Sequence, residues 1–251
     1  MDITSLDNKL VKHICSLHQK KYRDMYKEFI IEGENSIIEA LKSNFEIINV
    51  LYCPDFYDIS KLNTSNITPI SVTKEIMCKI SDTITPQGIM AVCKIPENSF
   101  SNKFSKVLFL DRIQDPGNAG TMIRTADAMG FDAIILSQGS ADPYSLKVVR
   151  STVGSVFHIP ILYNVNSMDT LAKLKDRNFT IYATALNNSK SIEETTIFSP
   201  FVLIIGNEGQ GVSEEIKNFS DYLIRIDMPG NAESLNASIA AGILMYKFSG
   251  N

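Results

Sequence analysis

The chain has 251 residues, of which 44% are hydrophobic and 21% are charged, a balance that predicts folded globular domains and excludes a largely disordered protein. The longest apolar runs, such as residues 201–205, are far shorter than the roughly 20 residues that span a membrane, so we expect no membrane segment. The formal net charge of −4 excludes binding of nucleic acid through a diffuse positive surface, so any such contact must be local.

The first 97 residues alternate between helix-like and strand-like patterns. Residues 6–41 look helical with a break near 31–33; strands are predicted at 46–52, 70–72 and 88–94, and a helix at 74–80. A polar stretch at 98–105 precedes a strand of almost unbroken apolar residues. We therefore predict a small α/β domain at 1–97, a linker at 98–105 and a second domain at 106–251.

The only local concentration of positive charge that we single out lies at the N-terminus. The first 27 residues contain six basic residues and three acidic ones, a net charge of +3. Lys20, Lys21 and Arg23 lie within this stretch. The pattern fits an RNA-binding arm and a solvated helix face about equally well.

Strand-like apolar runs recur in the second domain at 106–111, 132–136, 179–183, 201–205 and 222–226, with helical patterns between them. Continuous apolar strands that alternate with helices are typical of a mainly parallel sheet buried on both faces. In such a sheet the ligand site lies at the carboxyl ends of the strands. The loops that follow the strands are therefore the candidate functional segments.

Three of these loops are unusual, and each has an alternative structural interpretation. Glycines at 206, 209 and 211 fit neither a dinucleotide-binding nor a phosphate-binding motif; they allow either close approach of a ligand or a tight turn. Ser234 and Asn236 precede an apolar helical pattern, so one can cap the helix while the other stays free for a ligand. Arg124 is either a solvated helix residue or a group that grips a phosphate.

Together the three loops closely resemble the ordered motifs of the SpoU branch of the SPOUT RNA methyltransferases. The first motif corresponds to Gln114-Asp-Pro-Gly-Asn-Ala-Gly-Thr-Met-Ile-Arg-Thr-Ala-Asp. The second corresponds to Leu203-Ile-Ile-Gly-Asn-Glu-Gly-Gln-Gly-Val, and the third to Ile224-Arg-Ile-Asp-Met-Pro-Gly-Asn-Ala-Glu-Ser-Leu-Asn-Ala-Ser. The similarity spans roughly residues 105–248 in order, spacing and residue identity.

The resemblance implies a parallel-sheet α/β domain with a C-terminal trefoil knot, and a homodimer. The segments Lys20-Lys-Tyr-Arg-Asp and Phe29-Ile-Ile-Glu-Gly-Glu resemble the opening of the family's substrate-binding domain, which is similar to ribosomal proteins. This favours ribosomal RNA, and most of all large-subunit RNA, over transfer RNA as the substrate. The expected activity is methylation of a ribose 2′-hydroxyl with S-adenosylmethionine as cofactor.

The resemblance also nominates site residues. The expected catalytic group consists of Asn118, Arg124, Glu208, Ser234 and Asn236. The expected cofactor-binding group consists of Thr184, Ala185, Gly206, Ile226, Met228 and Leu235. The expected RNA-binding group consists of Lys20, Lys21, Arg23 and Arg150, the last of these reaching RNA from either subunit.

Two rival functions are an RNA-binding assembly factor of the same fold without catalysis, and a dehydrogenase. The five retained catalytic-type residues argue against the first, and the missing G-x-G-x-x-G against the second. A transfer-RNA methyltransferase is a further alternative. The four cysteines, Cys15, Cys53, Cys78 and Cys93, have no metal-ligand spacing, so we expect reduced thiols and no metal. The N-terminus lacks the pattern of a signal peptide, and we expect a cytoplasmic protein.

Overall fold

The computed structural model describes residues 2–64, 67–97 and 99–250. Its strands, in chain order, are β1 (Asp2–Ile3), β2 (Glu28–Glu32), β3 (Ile47–Tyr52), β4 (Ile70–Val72), β5 (Ile89–Lys94), β6 (Lys106–Asp111), β7 (Ala133–Ser137), β8 (Ile161–Val165), β9 (Thr180–Thr184), β10 (Lys190–Ser191), β11 (Phe201–Gly206) and β12 (Tyr222–Arg225). Its α-helices are α1 (Lys9–Ser16), α2 (Lys20–Tyr26), α3 (Glu34–Lys42), α4 (Lys74–Ile80), α5 (Pro116–Ala128), α6 (Leu146–Thr152), α7 (Ser167–Lys175), α8 (Glu214–Phe219) and α9 (Ala237–Ser249).

The chain forms two compact units that differ from the predicted division in one respect. The first unit comprises Met1–Glu97 together with Tyr144–Phe157, and the second comprises Asn98–Pro143 and His158–Asn251. The sequence-based division assigned residues 144–157 to the second domain. In the structure this segment, which contains α6, is part of the first unit.

The first unit is built on a five-stranded sheet with the order β1-β4-β3-β5-β2. Neighbours of β4 run parallel to it, whereas β5 is antiparallel to both β2 and β3. One face of the sheet packs against α1 and α4 through a buried cluster that includes Ile14, Ile76 and Val92. The expected small α/β domain is therefore a mixed sheet covered by helices.

The prediction that residues 6–41 are helical apart from a short break was wrong at residues 28–32, which form β2. Lys27 adopts a left-handed conformation (φ 55°) and ends α2, and Phe29, Ile30 and Ile31 are then buried in the sheet. A short apolar run has no periodicity that distinguishes a buried strand from a helix. Pairing with β5 decides the outcome here.

Residues 144–157 join the first unit through aromatic packing. Tyr144 and Phe157 lie beside Phe29, with ring centroids 4.9 and 6.4 Å apart, and Phe157 meets Phe45 edge-on at 5.1 Å. Aromatic side chains bury large apolar areas, so this contact stabilises the segment more than its short helix does by itself. A linear division of the sequence cannot show such an insertion.

The second unit confirms the predicted parallel α/β fold. Its seven strands have the order β10-β12-β9-β11-β6-β7-β8, and every pairing is parallel. The interior strands β7 and β11 are buried along their whole length, as their continuous apolar sequences predict. Strands β8 and β10, which the sequence did not reveal, lie at the two edges.

The predicted linker at 98–105 is packed rather than free where it is described. Phe100 and Phe104 meet edge-on at 5.1 Å, and Phe100 also contacts Phe179 at 5.9 Å. Both side chains pack on the core of the second unit. Residue 98 lies outside the described residues. In the described ranges, no helix is both long enough and apolar enough to cross a membrane.

Candidate active site

A cavity of about 730 Å³ opens in the second unit at the carboxyl ends of β9, β11 and β12. This is where a parallel sheet is expected to bind its ligand. All six residues of the expected cofactor-binding group line it: Thr184, Ala185, Gly206, Ile226, Met228 and Leu235. The structure thus brings together residues that end or follow three separate strands, and two of these three segments belong to the sequence motifs.

The glycine-rich loop forms part of the cavity wall and is a tight turn. Asn207 and Gly211 form an antiparallel bridge, and the Asn207 side-chain oxygen accepts the N–H groups of Gly209 and Gln210, each at 3.0 Å. A Cβ atom on Gly206 would collide with the backbone of Gly211 and Val212. The tight turn, rather than close approach of a ligand, therefore explains why residue 206 is a glycine. The turn also shapes this part of the cavity.

Three of the expected catalytic residues form a hydrogen-bonded chain, which we call the Glu208–Asn118–Asn236 chain. The Asn118 amide donates to Glu208 at 3.0 Å, and the Asn236 amide donates to the Asn118 oxygen at 3.1 Å. The members come from α5, the loop after β11 and the start of α9. This chain therefore joins all three sequence motifs at one place.

The Glu208 carboxylate also accepts backbone N–H groups from the two residues that precede α5, namely those of Gln114 at 3.4 Å and Asp115 at 3.3 Å. Burial by itself raises the pKa of Glu208, but the hydrogen bonds from the Asn118 side chain and from the backbone outweigh it and hold the pKa below the ordinary 4.5. Glu208 is therefore an ionised acceptor at neutral pH rather than a proton donor.

Both flanking helices begin with side-chain caps. Asp115 accepts the N–H of Asn118 at 2.7 Å and caps α5, while Asn236 accepts the N–H groups of Ser238 and Ile239 at 2.9 and 3.3 Å and caps α9. Asn236 is thus the capping residue of the pair considered above, and its amide still reaches Asn118. Ser234 is exposed and lines the cavity, outside that chain.

Arg124 lies on the exposed face of α5, while its neighbours Ile123 and Ala126 are buried. Within the described ranges its guanidinium has neither a hydrogen bond nor an ion pair. A planar fork with all its donors available suits a phosphate ligand. The structure leaves Arg124 outside the hydrogen-bonded chain but on the same helix as Asn118.

The four expected RNA-binding residues have different surroundings. Lys20 and Lys21 are exposed on α2. Arg23 is only 5% exposed and donates to the carbonyl oxygens of Leu17 and His18 at 2.7 and 2.8 Å, and its role as an RNA contact stays a prediction. Its guanidinium holds the α1–α2 turn together.

Arg150 is also held by a partner within the first unit. It donates to Glu32 at 3.1 Å, and the Glu32 side chain is 1% exposed. The opposite oxygen of Glu32 accepts Ser81 at 2.8 Å and Thr83 at 3.2 Å. Its role in binding RNA remains a prediction.

Sequence reasoning missed Arg112, which links the end of β6 to the glycine-rich loop. Its guanidinium donates to Asp111 at 3.1 Å, to Gln210 at 3.0 Å and to the Gly211 carbonyl oxygen at 3.3 Å. It adopts φ 56°, a left-handed conformation that costs a non-glycine residue about 1 kcal/mol. Its position directly before the first motif was the only available signal.

The fold and the site together define a class of protein: a parallel α/β domain with a cavity at the carboxyl ends of its strands, beside a hydrogen-bonded polar chain. Residues 105–246 match the SpoU rRNA Methylase family, and residues 8–91 match the MRM3-like substrate binding domain. The chain belongs to the SpoU rRNA methylase family. The expected class, an S-adenosylmethionine-dependent RNA methyltransferase, is confirmed.

Similar proteins extend over nearly the whole chain. The 23S rRNA (guanosine(2553)-2′-O)-methyltransferase RlmP of Bacillus subtilis (strain 168) is 40% identical over 248 residues, which cover 99% of both chains. The crystal structure of an AdoMet-bound rRNA methyltransferase from Sinorhizobium meliloti is 34% identical, with a TM-score of 0.88, and covers 98% of this chain and 96% of that one. A crystal structure of an RNA 2′-O ribose methyltransferase is 28% identical with a TM-score of 0.83, covering 98% and 97%.

Proposed function

We propose that this protein transfers a methyl group from S-adenosylmethionine to a ribose 2′-hydroxyl of large-subunit ribosomal RNA. The choice of substrate is supported by the similarity to a 23S rRNA methyltransferase over 99% of both chains. This span includes the first unit as well as the three sequence motifs. RNA supplies the acceptor, because DNA has no 2′-hydroxyl.

The cavity fits the cofactor in size and in chemistry. A volume of about 730 Å³ lies within the usual range for small-molecule sites. Ile226, Met228 and Leu235 provide apolar surface for the adenine, and the turns at Thr184–Ala185 and Gly206 provide backbone polar groups. When bound, S-adenosylmethionine supplies a methyl group already activated by its sulfonium. The protein's remaining task is to align the 2′-oxygen and to let its proton leave.

We assign the alignment to Arg124. Its exposed guanidinium can grip the phosphate next to the target ribose through two parallel N–H donors and so fix the 2′-oxygen. A guanidinium is a poor base, so proton acceptance by Arg124 is secondary. Positioning is therefore the larger part of its contribution.

The Glu208–Asn118–Asn236 chain supports Arg124 indirectly. Glu208 receives donors from Asn118 in the first turn of α5 and from the two residues that precede this helix, which also carries Arg124. The chain therefore holds α5 against the start of α9 and against the glycine-rich loop. Ser234, exposed at the cavity, is left to hydrogen-bond the ribose or the cofactor.

We further propose a homodimer with a trefoil knot in the second unit of each subunit. The family implies the knot. For the dimer, α9 exposes Ile239, Ile243 and Tyr246 by 55%, 42% and 74%, at the spacing that places them on one helix face. An apolar helix face of this kind is typical of a protein interface. Ribosomal RNA as substrate also favours a cytoplasmic location.

The first unit is the proposed RNA-binding part, with Lys20 and Lys21 as contacts. The match of residues 8–91 to a substrate binding domain supports this role. A transfer-RNA substrate and a non-catalytic assembly factor remain the rival functions. The retained Asn118, Arg124 and Glu208 argue against loss of catalysis.

The test is transfer of tritiated methyl from S-adenosylmethionine to purified ribosomal RNA and transfer RNA, followed by mapping of alkali-resistant linkages. We expect label at one site in large-subunit RNA, lost in Arg124→Ala and retained in Lys173→Ala, an exposed cation on α7 that serves as the matched control. Label in transfer RNA alone would replace the proposed substrate. Cofactor binding without label in RNA or in ribosome precursors would favour the assembly factor.

A further inference from the structure

Helix α2 presents a group of aromatic rings that the core does not use. Tyr22 and Tyr26 lie one turn apart with nearly parallel rings, 6.2 Å between centroids and 13° between planes. The His13 ring of α1 meets Tyr26 edge-on at 4.7 Å. We call these three rings the α2 platform.

The platform is open at its surface. Tyr26 is 41% exposed and Met25, beside it, is 67% exposed. Arg23, between the two tyrosines in sequence, points inward and is buried, so the two faces of α2 have different roles. Adjacent large apolar side chains at a surface usually mark a binding site.

The charge around the platform favours an anionic partner. Lys21 lies over the Tyr22 ring, with its Nζ atom 5.6 Å from the centroid, and Lys27 follows Tyr26. Neither lysine forms an ion pair with any residue that the structure describes. Of the two acids nearest in sequence, Asp24 on α2 is paired with Lys20 at 2.5 Å, and Glu28 is bonded to His13 at 2.6 Å. This local positive charge contrasts with the net charge of −4 of the chain.

We propose that the α2 platform binds an unpaired nucleotide of the RNA substrate, with the base stacked on Tyr26 and the adjacent phosphates held by Lys21 and Lys27. Exposed aromatic rings beside lysines are the usual means by which proteins hold single-stranded RNA, since bases in a duplex are not available for stacking. A protein partner would use the rings but would gain little from two unpaired lysines. The inference rests on the proposed RNA substrate.

The first test is a fluorescence titration of the full-length protein with a short single-stranded RNA carrying 2-aminopurine. Stacking on Tyr26 quenches this base, and we expect Tyr26→Ala to abolish the quenching and weaken binding at least about fivefold. Tyr26→Phe keeps the ring and should bind as the wild type does. The same RNA annealed to its complement should bind more weakly and show no protein-dependent change.

A matched control exists in the same unit. Phe56 is 37% exposed and carries Lys74 at 5.4 Å from its ring, so it reproduces an aromatic–lysine pair away from α2. We expect Phe56→Ala to leave RNA affinity unchanged. Equal losses in Phe56→Ala and Tyr26→Ala, or equal affinity of Tyr26→Ala and wild type, would overturn the proposal, and the second result would point to a protein partner for the rings.

Methylation kinetics separate this inference from the proposed function. With large-subunit RNA, Tyr26→Ala should raise KM for RNA about as much as it weakens binding, with kcat and cofactor affinity unchanged. If the wild type methylates this RNA and Tyr26→Ala has the same KM, the platform fails while the proposed function stands. If the wild type methylates no RNA, the proposed function fails, and the quenching titration still decides whether the platform stacks a base.

Discussion

Arg23 and Arg150 of the first unit differ from Arg124 of the second unit in how their guanidinium groups are used. In the first unit Arg23 is buried against backbone carbonyl groups, and Arg150 is paired with the buried Glu32. In the second unit Arg124 stands exposed on α5 with its donors unused within the described ranges. The comparison shows that a resemblance to the family does not distinguish an arginine held inside the fold from one left exposed. What distinguishes them is whether the donors are already occupied.

The largest expected effect concerns the structural arginines. Arg150→Met leaves the buried Glu32 carboxylate without its cation, and we expect the free energy of unfolding to fall by about 3 kcal/mol. Chemical denaturation of the full chain would measure this. Lys94→Ala, which removes an exposed partner of Glu46, should cost less than about 1 kcal/mol. A stable Arg150→Met with weakened RNA binding would instead assign Arg150 to RNA.

The next effect concerns Arg124, to which we assign the alignment of the 2′-oxygen. Arg124→Lys keeps the positive charge but removes the planar fork, so we expect the single-turnover methylation rate to fall about 100-fold. Thermal stability should be unchanged, because no described residue depends on this side chain. A wild-type rate in Arg124→Lys would show that a positive charge without the planar fork is sufficient for methylation. The proposed difference in role between Arg124 and Arg150 would then lose its support.

Arg112 combines the two situations. Its guanidinium is held by hydrogen bonds within the fold, and those bonds reach the glycine-rich loop that forms part of the cavity wall. Arg112→Met should loosen the glycine-rich loop and raise the KM for S-adenosylmethionine about tenfold, equivalent to about 1.4 kcal/mol, with little change in kcat. Arg177→Met, whose guanidinium lies 4.9 Å from the Phe100 ring, is the control and should leave cofactor affinity unchanged. Calorimetric titration measures the cofactor affinity of both variants, and steady-state methylation measures their KM and kcat. A loss confined to kcat would place Arg112 in the chemistry.

The smallest effect is the pH dependence of Glu208. Because its pKa is lowered in the folded state, its contribution to stability is complete above the ordinary value of 4.5 and is lost as the pH falls below that value. The partly exposed position limits the contribution to less than about 1 kcal/mol. Glu208→Gln should flatten this acid limb in thermal unfolding measured at stepwise lower pH. If Glu208→Gln loses stability at low pH as the wild type does, other carboxylates account for that loss.

Much of the second unit was predictable from sequence because its signals are local. Continuous apolar runs such as 201–206 predict buried parallel strands, and the motif order predicts that their loops meet. The cavity lined by Thr184, Gly206 and Met228 agrees with that prediction. The first unit was harder, since β2 is a five-residue apolar run whose identity depends on its pairing with β5.

The sequence alone determined the parallel fold, the family and six of the residues that line the cavity, because each depends on residue type and order within a short segment. Only the tertiary structure decided that Arg23 is buried, that residues 144–157 belong to the first unit and that Arg112 donates a hydrogen bond to the Gly211 carbonyl oxygen. Each of these depends on which distant groups meet. Whether a guanidinium finds a carboxylate, a carbonyl oxygen or solvent is set by the packing of elements far apart in the chain, and residue spacing carries no record of it.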